Sequence, residues 1–131
     1  MTGITTSVAE ALVEIRASWP NSAVDVEPDG AGGAYVVVRE IPLRTPYVQS
    51  DTWVGFQITF QYPYADVYPH FVRPDLTRTD GKPLRTGLGS GAQFRGQPAI
   101  QVSRRSNKLN PATDTANLKL LKVHRWLLSS E

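Results

Sequence analysis

The polar residues best equipped for chemistry gather in the second half of the chain. Ser103-Arg104-Arg105-Ser106-Asn107-Lys108 is an unbroken polar and basic run that directly follows the short apolar stretch Ala99-Ile100-Gln101-Val102. Guanidinium groups and amides in such a run can pair with carboxylate or carbonyl groups of a partner; the plain alternative is a solvated turn. His70 is of the type that serves as a general base near neutral pH. No nucleophile accompanies it in the sequence, so it reads as a surface or turn residue, and His124 reads as structural. The chain has no cysteine, which excludes disulfides, thiolate metal sites and thiol catalysis as written. Two histidines cannot build an ordinary zinc site alone, and Asp66, Asp75, Asp80 and Asp114 are not spaced as metal ligands. No cofactor and no metal are expected.

These residues need a scaffold. A helix is expected first, capped by Ser7 with Glu10 at capping-box spacing. Its apolar stripe is Val8, Ala11, Leu12, Ile15 and Trp19, and it ends before Pro20. Strands are expected at residues 23–27, 34–41 and 52–60. The second is rich in β-branched residues, and the third alternates Val54, Phe56, Ile58 and Phe60 with polar or small neighbours. Asp29-Gly30-Ala31-Gly32-Gly33 reads as a turn that makes the first two strands a hairpin. Residues 61–95 read as one long irregular region rich in Pro and Gly, with a mobile stretch at 87–91. A helix is expected from residue 111 to about 128, with Asn110 as cap and Pro111 at its first position. Its apolar stripe is Ala116, Leu120, Val123 and Leu127. The fold class is α+β: N-terminal helix, antiparallel meander sheet of about four strands, long Pro/Gly loop, and a C-terminal helix packed on the sheet, with both helices on one face. One domain spans residues 1–131.

The order of these elements, with Tyr62-Pro63, Tyr68-Pro69 and Arg73-Pro74 after the third strand and Asn110-Pro111 before the last helix, resembles the ubiquitin-conjugating enzyme fold and its RWD-like relatives. That family carries a Tyr-Pro turn, later Gly-x-Ile-Cys-Leu, then a Trp-Ser-Pro helix start. Gly96 and Ile100 match; Leu109 stands in place of the tryptophan, and Ala99 stands where the nucleophilic cysteine is expected. The resemblance implies a bacterial-type member, of the kind found in anti-phage defence clusters. It would accept a ubiquitin-like modifier protein as a thioester from an adenylating activating enzyme and pass it to a target. ATP would be used by the activating enzyme. Alanine cannot form a thioester, so the resemblance implies either a Cys-to-Ala inactive form or a natural non-catalytic relative. The family's oxyanion asparagine has no counterpart, which leaves Gln93 and Asn107 as stand-ins beside Ala99. Ser103, Arg104, Arg105, Lys108 and Asn110 would form the rim that meets the modifier. The rival reading is a non-catalytic RWD-like protein-interaction module.

Composition sets the outer bounds. Hydrophobic residues at 40% and charged residues at 20% are ordinary for a globular domain. The formal charge is only +2, yet the basic residues lie late in the chain. Nucleic acid is disfavoured as a partner, because the basic run contains no aromatic platform. Without an apolar span or a signal-peptide core, a cytoplasmic location with no membrane partner is the expectation.

Overall fold

The computed structural model describes residues 3–106 and 108–129. Helix α1 (Thr6–Ser18) starts two residues earlier than the Ser7 cap implies: Thr5 is the N-cap, and its hydroxyl oxygen accepts the Val8 amide at 3.2 Å. Strands β1 (Val24–Pro28) and β2 (Ala34–Pro42) form the expected hairpin. Its turn is fixed by Asp29, whose Oδ1 accepts from the amides of Ala31 and Gly33 at 2.8 and 3.0 Å. Strand β3 (Asp51–Ile58) pairs with β2 and buries Thr52, Val54, Phe56 and Ile58, the period-two pattern of one face turned to a core.

Residues 61–95 are not one irregular connection. They contain β4 (His70–Val72) and β5 (Leu88–Phe94), which raise the expected four strands to six, with β6 (Gln97–Val102) following them. The antiparallel order is β1-β2-β3-β4-β6-β5. Strand β4 has three residues, too few for a periodicity to stand out. The glycine-rich stretch read as mobile forms edge strand β5, held by its backbone pairing to β6. Arg95 and Gly96 close that hairpin with φ of 53° and 82° between the Phe94–Gln97 pair. Two successive positive φ values are what a two-residue type I′ hairpin turn requires, so the glycine has a local backbone role.

Helix α2 (Ala116–Leu128) begins five residues after Pro111, with Thr115 as N-cap accepting the Leu118 amide at 3.1 Å. Asn110 caps a separate turn: its Oδ1 accepts the Ala112 amide at 3.0 Å, and its own amide donates to Asp114 at 2.8 Å. One core cluster joins Val8, Leu12 and Ile15 of α1 and Leu120, Val123 and Leu127 of α2 to the inward residues of β2, β3, β4 and β6. Both helices therefore cover the same sheet face, as two apolar stripes sharing one core must. Trp19 Nε1 donates to Asn117 Oδ1 at 3.2 Å, and the Thr115 hydroxyl donates to Glu14 at 3.1 Å, tying one helix to the other. Among the described residues no helix is long and apolar enough to cross a membrane.

Candidate functional site

Ala99 lies inside β6, with β4 on one side and β5 on the other. Its cross-strand partner on β5 is Ala92, and its neighbour Ile100 pairs with Val72 of β4. Ile100 and Val102 enter the core beneath the helices, so the alternation of the strand sends Ala99 to the other face. Only 2% of Ala99 is exposed. The segment beside Ala99 at 88–94 is not a loop but strand β5, paired with Ala99's own strand. Gln93 is exposed on β5 opposite Pro98, one residue beyond Ala99's partner. It lines a shallow groove of about 500 Å3 with Tyr68, Phe71 and Phe94. Asn107 lies outside the described residues.

The basic run is brought together with residues from three other segments. Ser106 anchors it: its amide and hydroxyl donate to Asp66 at 2.7 and 2.8 Å. Lys119 of α2 completes the knot, its Nζ lying 2.9 and 3.0 Å from the Asp66 oxygens and 2.9 Å from Ser106 Oγ. Burial pushes the Asp66 carboxyl up, but the Ser106 amide and the Lys119 ammonium outweigh it and hold it below the ordinary aspartate value. From this anchor Arg104 and Arg105 project outward, each over an aromatic ring. Arg105 lies 4.1 Å from the Tyr68 centroid and Arg104 5.2 Å from that of Trp126. Arg85 also lies over Trp126, at 4.2 Å, and donates to its carbonyl at 2.9 Å. A groove of about 270 Å3 runs between Arg104, Arg105, Lys122 and Trp126.

The other expected rim residues have different roles. Ser103 donates its amide to Gly87 at 2.8 Å, which closes the far end of the β5–β6 pair. Lys108 is exposed at a positive φ of 56°, and Asn110 is committed to the turn before α2. Sequence reading missed Asp66, Tyr68, Arg85 and Trp126 as members of this cluster. Lys122 and Trp126 are four apart on one helix, which places them on one face; the partners from residues 66–85 carry no such local signal. Tyr62, the first residue of the Tyr-Pro signature, ties its turn to α2 by accepting the Ala116 amide at 2.9 Å, and burial raises the pKa of its hydroxyl.

His70 overturns its expected surface position. It is fully buried, with its ring 5.0 Å from that of Phe56. Burial first, and the positive charge of Lys119 second, push its pKa down to about 3 against a weaker opposing pull from Asp66. The ring is neutral at physiological pH and out of reach of a substrate. His124 Nε2 lies 2.8 Å from the Pro42 carbonyl, with its ring edge-on to Trp19. Among the described residues no three His, Asp or Glu side chains gather as metal ligands. Comparison of the chain with family models, curated proteins and solved structures gave no match.

Proposed function

We propose that this chain is a non-catalytic protein-interaction domain of the RWD-like kind, and that Ala99 is a structural residue of its sheet. The observation that carries this reading is the 2% exposure of Ala99 inside a strand paired on both sides. A thioester carrier needs its nucleophile where an activating enzyme can deliver a bulky modifier tail. What supports an interaction role is the surface: a cationic groove lined by stacked guanidinium groups, beside a knot of hydrogen-bonded polar side chains. A cytoplasmic setting belongs to the same proposal and rests on the cysteine-free composition.

The second reading keeps the bacterial-type conjugating role, with a ubiquitin-like modifier and an adenylating activating enzyme as partners. It is favoured by the helix–sheet–helix order with both helices on one face and by the link from Tyr62 to the start of α2. Ala99→Cys separates the two. With a matched activating enzyme, ATP and modifier, the interaction reading expects no reductant-sensitive adduct. A stoichiometric adduct on that cysteine supports the carrier reading.

A further inference from the structure

We infer that the groove between the Arg104–Arg105 turn and α2 docks an acidic peptide segment of a partner protein; this deepens the interaction reading above and rests on it. Arg104, Arg105 and Lys122 are exposed. The ion pairs among the described residues involve other cations: Arg39, Arg73, Arg78, Arg95 and Lys119. Asp114, the acidic side chain that also lines the groove, is engaged by the Asn110 amide. The groove therefore carries three exposed cations, Arg104, Arg105 and Lys122, against the one carboxylate of Asp114, and presents a net positive field.

Its cations are also positioned. Stacking over Trp126 and Tyr68 restrains Arg104 and Arg105 while both side chains stay exposed, which leaves guanidinium N–H donors free for a ligand. A guanidinium fixed in this way loses less freedom on pairing with a carboxylate, which is bidentate and planar in the same manner. The Ser106–Asp66–Lys119 knot beneath fixes the turn that carries both arginines.

Carboxylate is favoured over nucleic acid by the state of the aromatic rings. Base stacking needs a free ring face, whereas Trp126 already has Arg85 and Arg104 over it and Tyr68 has Arg105. A volume of about 270 Å3 suits the side chains of one extended segment.

The test is fluorescence anisotropy of the whole protein with a labelled peptide carrying a run of glutamates, and with the same peptide carrying glutamines. Saturable binding of the glutamate peptide alone, weakening as salt is added, is the expected result. The Arg104→Glu/Lys122→Glu double variant should lose at least about tenfold in affinity, the scale of two charge-assisted contacts. Arg105→Glu should reproduce part of that loss, and Arg39→Ala, in another groove, should change nothing. Absence of saturable binding overturns the proposal, as does equal binding of the glutamine peptide or unchanged affinity in the double variant. Tighter binding of a single-stranded oligonucleotide of the same length overturns it in favour of nucleic acid. In each of these cases, an Ala99→Cys protein that still forms no adduct leaves the interaction reading standing and removes only the ligand class.

Discussion

Phe94, the last residue of β5, lies on Gly55 in the middle of the sheet: a β-carbon at Gly55 would stand 2.6 Å from the Phe94 ring. The same ring packs 5.1 Å from Phe71, 6.3 Å from Trp53 and 6.4 Å from Tyr35, measured between centroids. The tip of the β5–β6 hairpin thus folds back over the sheet face that the helices leave bare, and Gly55 is the gap that receives it. Arg95 strengthens the clasp by stacking 4.6 Å over Tyr35 and pairing with Glu27 at 2.9 Å.

Gly55→Ala should therefore expel Phe94 and destabilise the fold by about 1–3 kcal/mol, the usual range for overpacking. Phe94→Ala alone should cost about 3 kcal/mol or more, since its ring is buried among Phe71, Trp53 and Tyr35. The two together should cost clearly less than their sum, because the alanine at Gly55 then has no ring to meet. Urea unfolding of the four proteins measures the coupling. Strict additivity would mean that the ring and the glycine do not share a site.

His70 predicts an acid-sensitive fold. Its ring is neutral in both states above the ordinary histidine pKa of about 6.5, so its contribution is fully present there. Between about 6.5 and its folded value of about 3, the unfolded chain takes up the proton first. Stability should thus fall with decreasing pH, by up to about 1.4 kcal/mol per pH unit from this group. The depressed pKa of Asp66 acts in the same direction, but only as pH falls through its ordinary value of about 3.8 and below. The window between pH 6.5 and 4 belongs to His70. His70→Leu, which fills similar space without two ring nitrogens that have no hydrogen-bond partner among the described residues, should flatten that window. An unchanged slope in thermal unfolding across it would place the acid sensitivity elsewhere.

The helices and strands β2 and β3 were legible because each has a long apolar repeat that a single buried face imposes, and β1 because a turn signal joins it to β2. Val8, Leu12 and Ile15 could only be a helix, and Val54, Phe56 and Ile58 only a strand. Strand β5 was not legible: Leu88-Gly89-Ser90-Gly91 has little side chain to reveal a period, and its order comes from pairing with a strand further along. Asn110-Pro111 reads as a helix start because asparagine is a capping type and proline suits the first helical position. The mutual bonds of Asn110 and Asp114 settle a turn there instead. The basic run was legible as a charged surface, but not its anchor, since Ser106, Asp66 and Lys119 lie far apart in sequence. The burial of His70 and Ala99 depends on neighbours from other strands, which no local pattern encodes.

Asp66 and Lys119 should behave as a partly buried pair. Lys119→Met leaves the carboxylate with Ser106 alone and should destabilise by about 2 kcal/mol, in the range of a lost charged hydrogen bond. It should also raise the Asp66 pKa, visible in a side-chain carboxyl titration by NMR. Asp66→Asn should cost a similar amount and release the Ser106 turn, weakening any ligand held by Arg104 and Arg105. A Lys119→Met protein with unaltered stability and an unmoved carboxyl titration would remove the pair as the anchor.

The most direct test of the central claim, that Ala99 is a sheet residue and not a vacant nucleophile seat, needs no partner. Ala99→Cys and, as an exposed control, Ser103→Cys each supply the protein's one thiol, and their reaction with a small thiol reagent is followed in native buffer and in denaturant. The account predicts that the cysteine at position 99 reacts at least about a hundredfold more slowly than the control in the native protein, the scale of a local opening that costs about 3 kcal/mol, and that the two rates converge on unfolding. Native labelling at position 99 as fast as at 103, in a protein whose stability is unchanged, would contradict it.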